Sequence, residues 1–317
     1  MIVKTGWLVT GIAVALVLVA MVGCRKRPIH AIELHGGDLT VTFVDNSALA
    51  PEHRAGYNGI ARLVHAMEPE PIFVPTYAGF NLEHIFSGDS LPDLFEPRHA
   101  PMELRQLSDR VVELHQPPTP ISHVESWTRF ELVPPHAIDV TFRCRLRDLT
   151  FFRHGYAGMF WASYIHKPED KRIWFWGVSQ DDPSPRWIAA YSEAHGVAST
   201  HLSVKDSLKL YFAPAFQATL ASHFSNYRYL LPFFFGRFHR MVLVYVFDDD
   251  RRIRFSQSPT GGGPTNPAWD FQFIIPNPRT KTDYGFRARL IYKPFVSEED
   301  VRAEAMSWLK TRKVGNR

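Results

Sequence analysis

The sequence is poor in cysteine and lacks the common motifs of nucleotide, hydrolase and zinc chemistry. Its 317 residues include two cysteines, Cys24 and Cys144. If Cys24 carries a lipid, Cys144 has no partner, and no intramolecular disulfide is expected. No G-x-S-x-G, H-E-x-x-H or C-x-x-C pattern occurs, which argues against a nucleophile elbow and against zinc ligation by spacing. We therefore predict neither a metal site nor a cofactor.

A large excess of charge of one sign is also missing. Lys and Arg together number 36 against 32 Asp and Glu, for a formal net charge of +4. A nucleic-acid-binding surface needs clustered basic residues, so we predict no nucleic-acid partner. Nothing in the composition identifies a protein partner.

The N-terminal segment has the pattern of an export signal. Lys4 precedes an apolar run from Trp7 to Gly23, and a positive start before an apolar stretch is typical of a signal peptide. The residues Met21-Val22-Gly23-Cys24 resemble a bacterial lipobox, in which cleavage precedes a cysteine that is lipidated. Lipidation anchors a chain to a membrane without spanning it.

These residues predict a signal peptide over 1–23, lipidation at Cys24 and a tether over 24–30, which would place an anchored protein outside the cytoplasm in the cell envelope. An uncleaved transmembrane anchor stays open as the alternative. The apolar run approaches the length that spans a bilayer. Arg25-Lys26-Arg27 follows it and would then favour an inward-facing body.

Most of the remaining chain has the period of β-strands. In His136–Arg147 and in Tyr284–Tyr292, apolar and polar residues alternate, as in a strand with one buried and one solvated face. This pattern places Cys144 on a core face as an inert thiol. Met241–Phe247 is continuously apolar, so we expect that strand to be covered on both faces.

We predict one all-β domain over 31–317, a large antiparallel β-sandwich or supersandwich with a C-terminal packing helix over 297–313. Ser297 followed by acidic residues is typical of a helix start. Many strands joined by Pro, Gly and Asp turns favour a sandwich or barrel. Asp248-Asp249-Asp250 is predicted to form a hairpin turn between two strands.

The most unusual stretch is the glycine-rich Ser258–Gln272. It lacks the lysine of a phosphate loop and precedes a strand rather than a helix, so a phosphate cradle is excluded. Two interpretations remain: a slack connection, or the rim of a ligand site. In the second, backbone without side chains admits the ligand and Trp269 stacks on it. The ligand-binding candidates here are Gly261, Gly262, Gly263, Asn266 and Trp269, with Asp270 as an assisting acid.

Two earlier turns also collect polar side chains. Residues 52–63 supply His53, Arg54, Tyr57 and Asn58, which suit hydrogen bonding to a polyhydroxylated ligand; a structural turn is the alternative. Residues 77–86 place Asn81, Glu83 and His84 together. A His beside a Glu can act as an acid–base pair because imidazole titrates near working pH.

The combination of "EHRAGYNGI", "FEPR", "GMFWASYI", "GRFHRMVLVYVFD" and "RFSQSPTGGGPTNPAWDFQ" resembles a family of exported bacterial proteins of unknown activity. More remotely, a long β-chain with an early His-Arg turn and an Asn-x-x-His looks like the galactose mutarotase-like supersandwich. That group includes sugar epimerases and carbohydrate-binding or lyase domains. The resemblance implies sugar-binding roles for His53, Arg54, Asn81 and His84. The glutamate usual near the end of those chains is not recognisable here.

The resulting hypothesis is an extracytoplasmic, membrane-anchored protein that binds or processes carbohydrate. If it is an enzyme, His84 or His53 acts as acid–base, assisted by Asp270 or Glu83. The alternative is a non-catalytic structural or assembly lipoprotein of the cell envelope. The two hypotheses differ in what they require of the structure. The carbohydrate hypothesis requires Arg54, His84 and Asp270 to line one concavity.

Overall fold

Eighteen strands account for most of the regular structure in this computed structural model, which describes residue 2 and residues 28–314, with side chains to residue 311. The strands are β1 (Ala31–Gly36), β2 (Leu39–Val44), β3 (Gly59–His65), β4 (Asn81–Phe86), β5 (Glu103–Ser108), β6 (Val111–Gln116), β7 (Val124–Val133), β8 (Ala137–Leu146), β9 (Tyr156–Ala162), β10 (Ile173–Ser179), β11 (Arg186–Ala190), β12 (Thr200–Ser203), β13 (Phe224–Tyr229), β14 (Phe233–Phe238), β15 (Met241–Phe247), β16 (Ile253–Ser258), β17 (Ala268–Pro276) and β18 (Asp283–Pro294). The helices are α1 (Glu96–His99), α2 (Thr219–Ser222) and α3 (Glu298–Val314). The predicted signal peptide, Cys24 and the first residues of the tether lie outside the described residues.

Two sheets are formed. The smaller has the order β1-β2-β3. The larger runs β4-β9-β17-β16-β12-β13-β10-β14-β15-β18-β8-β7-β6-β5, with β11 added beside β10. Pairing is antiparallel throughout these described strands except between β12 and β13, which run parallel. The predicted all-β, largely antiparallel fold is confirmed.

The alternating segments form strands with the expected faces. β8 pairs with β7 on one side and β18 on the other. Its apolar residues enter the main core, where Cys144 is fully buried. Burial raises the pKa of the Cys144 thiol, so the thiolate needed for reactivity is disfavoured.

The continuously apolar strand is covered on both faces, as predicted. β15 lies between β14 and β18. One of its faces belongs to the main core, and the other packs Val242 and Val244 against Val301 and Trp308 of α3. The Asp300 backbone N–H donates to Ser297 Oγ at 3.1 Å, which is the expected cap. The C-terminal packing helix is therefore confirmed.

The predicted hairpin at Asp248-Asp249-Asp250 is wrong. β15 and β16 are not neighbours in the sheet, so this segment is a crossing connection. Its carboxylates bind nearby groups instead: Asp248 accepts from Arg287 N, Asp249 from Arg252 N, and Asp250 pairs with Lys205.

Candidate functional site

A cavity of about 210 Å³ lies on the large sheet where β4, β9 and β17 run side by side. Its floor carries polar side chains from these strands and from the residues that follow β9. Its walls come from residues 94–98, from residues 217–220 and from the loop between β16 and β17. The lining residues used below are Tyr57, Glu83, His84, Phe95, Arg98, Tyr164, His195, Gln217, Gly261 and Asp270.

Glu83 is a carboxylate held from three directions. Its Oε1 accepts a hydrogen bond from Arg98 Nη1 at 3.2 Å and another from the Tyr164 hydroxyl. Its Oε2 lies 3.6 Å from His84 Nε2. The Glu83 side chain is 7% exposed, and a buried carboxylate requires such partners.

His84 has a defined proton position. Its Nδ1 lies 2.5 Å from the Leu94 carbonyl oxygen. Because a carbonyl can only accept, Nδ1 carries the hydrogen, and Nε2 is the nitrogen that can take up a proton. Burial lowers the pKa of His84, partly opposed by the Glu83 charge. The free acceptor of the ring, Nε2, faces the Glu83 carboxylate.

Asp270 is the second acidic group of the cavity. Its Oδ1 accepts from the Ser163 backbone N–H at 3.0 Å, whereas Oδ2 is buried without a hydrogen-bond partner. Burial raises the pKa of Asp270 well above its ordinary value, and the nearby Glu83 charge raises it further. The two acidic side chains of the cavity thus have different surroundings: Glu83 accepts from Arg98 and Tyr164, whereas one oxygen of Asp270 has no partner.

Aromatic rings enclose Arg98. Its guanidinium carbon lies 3.9 Å from the centroid of the Tyr57 ring and 4.4 Å from that of Phe95. Its Nε donates to the Gly56 carbonyl at 2.9 Å. Tyr57 in turn contacts Tyr164, with ring centroids 5.6 Å apart. This packing fixes the cation that balances Glu83.

Five of the residues proposed from sequence meet at this cavity: Tyr57, Glu83, His84, Gly261 and Asp270. Arg54 does not; it is exposed on the outer turn of residues 48–55. The expected convergence of Arg54, His84 and Asp270 is therefore not met: His84 and Asp270 line the cavity, Arg54 does not, and the arginine at the cavity is Arg98.

Three other candidates lie behind the cavity wall and hold it. His53 Nε2 lies 3.0 Å from the Tyr57 carbonyl oxygen and donates to it. Asn58 Nδ2 donates to Asn81 Oδ1 at 2.9 Å, and the Leu82 N–H donates to Asn58 Oδ1 at 3.1 Å. Both amides are buried. These contacts tie the Tyr57 turn to the start of β4, so the placement is that of supporting residues rather than ligand contacts.

The glycine-rich stretch is an ordered connection between β16 and β17. Asn266 Nδ2 donates to the Gly262 carbonyl at 3.0 Å, and Asn266 Oδ1 accepts from Lys167 N at 3.0 Å. Gly263 has φ +113, which glycine adopts without strain. Of the three glycines, Gly261 reaches the cavity.

Trp269 is placed in the core and not on the rim. It is 0% exposed, and its Nε1 donates to the Lys171 carbonyl at 3.2 Å. Trp161 of β9 is also fully buried and stacks on Phe271. Successive residues of a strand point to opposite faces of the sheet. Trp269 points into the core, so Asp270, the next residue, points into the cavity.

Arg98, Tyr164, His195 and Gln217 were not proposed from sequence as site residues. Arg98 follows Glu96-Pro97 in the short α1, and Tyr164 follows an aromatic strand that has the composition of core. His195 and Gln217 are exposed at the mouth. The signal that could have found Arg98 is "FEPR", one of the motifs quoted above for the family resemblance.

Two further properties concern only residue 2 and residues 28–314. No group of three or more His, Cys, Asp and Glu side chains there is arranged to hold a metal ion. No helix in that part of the chain combines the length and the apolar character needed to cross a membrane.

Comparison with known proteins identifies the fold. A GalM/aldose epimerase homologue from C. elegans matches 84% of this chain and 99% of its own with a TM-score of 0.50 and 8% identity. A putative aldose 1-epimerase from Escherichia coli K12 also matches 84% of this chain and 99% of its own, with a TM-score of 0.45 and 10% identity. The galactosidase domain of an alpha-galactosidase-sucrose kinase matches 83% of this chain and 40% of its own, with a TM-score of 0.40 and 9% identity.

No protein-family model matches the chain, and no curated protein sequence matches it. The resemblance to the galactose mutarotase-like sandwich is confirmed at the level of fold, at low sequence identity.

Proposed function

We propose that the cavity binds a carbohydrate and that His84 and Asp270 transfer protons to and from it. The observation that carries this proposal is that a histidine and a carboxyl side chain line one cavity floor. His84 offers Nε2 as acceptor, and Asp270 offers an unpartnered carboxyl oxygen. General acid–base catalysis needs both groups at one site.

The positions of the two groups suit a sugar ring between them. β4 and β17 flank β9, so the strands that carry His84 and Asp270 run about 10 Å apart. A base on one side can take a hydroxyl proton while an acid on the other protonates a ring or glycosidic oxygen. The Glu83 carboxylate stabilises the imidazolium that forms, because it faces Nε2.

The size and lining of the cavity support a small polyhydroxylated ligand. Its volume of about 210 Å³ lies below the roughly 300–1,000 Å³ typical of drug-sized ligands, and suits one sugar unit. Aromatic rings from Tyr57, Phe95 and Tyr164 adjoin the polar floor. The C. elegans protein of the same fold is described as an aldose epimerase homologue, which agrees with a sugar ligand.

A glycan array followed by titration calorimetry with the bound sugar tests the proposal. Glu83→Gln should weaken binding at least tenfold, because the Arg98 charge loses its partner beside the ligand. The matched control is Glu131→Gln, an exposed glutamate 3.5 Å from Arg129 on the outer sheet, which should bind normally. No sugar binding on the array would reject the proposal in favour of a non-catalytic envelope role.

Proton transfer is tested separately on the bound sugar. Polarimetry detects interconversion of its anomers, and a reducing-sugar assay detects cleavage of its glycosides. Asp270→Asn should abolish whichever reaction occurs while sugar affinity falls less than tenfold. Sugar binding without either reaction would make the protein a lectin.

We also propose that the chain is exported and anchored to the envelope membrane through a lipid on Cys24. The motifs around residues 1–27 support this placement. It would expose the cavity to extracytoplasmic glycans.

A further inference from the structure

Residues 205–222, which we call the strap, connect β12 to β13 and cross the large sheet beside the cavity. The last part of the strap, residues 217–220, is one wall of that cavity. The strap therefore decides how far the cavity extends along the sheet on this side.

The sheet surface under the strap is polar and continues the cavity floor. In the strand register, Asp270 lies opposite Ser256, and Ser256 lies opposite Thr200. One step along, Gln272 lies opposite Arg254. Directly opposed residues share a face, so these side chains form a polar surface that begins at Asp270 and runs away from the cavity.

The strap is fastened to this surface at its α2 end. The Leu220 carbonyl accepts hydrogen bonds from Gln272 Nε2 at 3.2 Å, from Ser256 Oγ at 3.4 Å and from Thr200 Oγ1. The three donors are fully buried.

A buried ion pair holds the other end of the strap. Arg254 Nε donates to Asp206 Oδ2 at 2.7 Å, and the two side chains are 1% and 0% exposed. The middle of the strap is held through its own backbone. The Tyr211 carbonyl accepts from the Tyr156 hydroxyl, and Ala213 N donates to the Gly88 carbonyl, both at 2.7 Å.

The polar surface is not fully satisfied by the strap. Arg254 Nη1 and Gln272 Oε1 are buried without hydrogen-bond partners. Buried polar groups without hydrogen-bond partners are unusual where two protein surfaces pack together. A surface rich in hydrogen-bonding side chains is typical of a cleft that binds hydroxylated ligands. The strap thus occupies surface whose chemistry matches the open cavity floor.

We infer that the strap closes the carbohydrate site on one side, so that the cavity takes the terminal unit of a glycan and excludes an internal unit. This inference rests on the proposed carbohydrate function. An internal unit needs the cleft to be open at both sides of the bound sugar. Here the chain beyond the bound unit would have to pass through residues 217–220 and the Leu220 anchor.

The test is a glycan array that presents each sugar once as the terminal unit and once within the same chain, probed with the full-length protein in detergent. We expect binding to terminal presentations at least tenfold above internal ones. Equal or stronger binding to internal units would overturn the inference and leave the carbohydrate function standing. No signal from any glycan would reject both.

A strap variant adds a second readout. Thr200→Val combined with Gln272→Met removes two of the donors to Leu220 O at similar side-chain volume. It should reduce the terminal preference at least threefold while the double control Thr141→Val with Gln106→Met, on the outer sheet strands, leaves it unchanged. An unaltered preference in a folded strap variant would count against the strap as the determinant. If that variant does not fold by circular dichroism, the wild-type array alone decides.

Discussion

Arg98 and Glu83 meet at 3.2 Å beside the cavity, with side chains only 13% and 7% exposed. A pair of the same chemistry lies on the outer sheet, where Arg143 and Asp283 meet at 3.0 Å at 44% and 38% exposure. Each arginine also lies 3.9 Å from an aromatic centroid, Tyr57 in the first case and Trp127 in the second. The two pairs differ in their access to water, and each carboxylate also has a further donor: the Tyr164 hydroxyl for Glu83 and Arg145 Nε for Asp283.

From this difference we predict that removing the arginine lowers the free energy of unfolding by unequal amounts in the two pairs. Arg98→Met should lower the free energy of unfolding by about 3–5 kcal/mol because it leaves a buried carboxylate uncompensated. Arg143→Met should cost at most about 1 kcal/mol because its pair is exposed. Urea denaturation of both variants measures the difference. Equal losses would show that burial does not control the Arg98–Glu83 pair.

Asp270 predicts a stability that falls as pH rises. Its pKa is raised in the folded protein, so between about pH 4, the ordinary value, and the folded pKa the native state holds the proton more tightly than the unfolded chain. Stability is complete below that window and decreases through it, with a limiting slope of about 1.4 kcal/mol per pH unit.

Asp270→Asn removes this titration while keeping an acceptor for the Ser163 N–H. Its stability relative to wild type should therefore increase with pH when both are unfolded in urea from pH 4 to pH 8. The control Asp283→Asn changes an exposed carboxyl whose pKa is lowered, chiefly by hydrogen bonding to Arg145, so it should show no such gain. Parallel curves for wild type and Asp270→Asn would contradict a protonated Asp270.

For His201 we predict the opposite pH dependence, a stability that is lost in acid. Burial lowers its pKa to about 3, whereas the unfolded chain takes up the proton near pH 6.5. Stability is present above pH 6.5 and is lost as pH falls toward 3. His201→Phe should flatten thermal midpoints measured across pH 4–6.5, and His35→Phe, at a side chain 68% exposed, should not. A slope unchanged in His201→Phe would mean that other groups, such as the buried His84, cause the acid loss.

The burial of Trp269 predicts a structural role. Trp269→Ala should cost about 3–5 kcal/mol of unfolding free energy, since the ring fills the core against Gly236, where an added Cβ would meet it at 2.3 Å. Trp127→Ala, at a partly exposed ring on the outer sheet, should cost clearly less. Chemical denaturation of the two variants decides between them. A small cost for Trp269→Ala together with lost sugar binding would restore the stacking role proposed from sequence.

Anchoring is predicted to depend on Cys24. Cys24→Ser should accumulate as unprocessed precursor and lose incorporation of a fatty-acid analogue in growing cells. Cys144→Ala is the control, because its buried thiol is not expected to be acylated. Normal processing and labelling of Cys24→Ser would favour the uncleaved transmembrane anchor.

Much of the fold could be predicted from sequence because strand alternation is local. β8 and β18 each bury one face, and their pattern is visible residue by residue. β17 is different: both of its faces are buried, so Trp269 and Asp270 are equally enclosed and only their chemistry differs. Asp270 was proposed because it directly follows the glycine-rich loop and Trp269, and it lines the cavity although Trp269 does not.

The register between distant strands could not be predicted. Arg98 reaches Glu83 through the packing of α1 on β4, and Arg54 points away although it lies close to Tyr57 in sequence. Neither outcome follows from composition or spacing. The hairpin at residues 248–250 failed for the same reason, since two consecutive strands need not be neighbours.

The adjacency of β4, β9 and β17 also bears on how the protein folds. The strand at residues 81–86 pairs with that at 156–162, which pairs with that at 268–276. Closing loops of this length is entropically costly and slows folding. The cavity therefore cannot form until late residues have joined early ones, and a nascent chain that has not yet released β17 from the ribosome has no complete site.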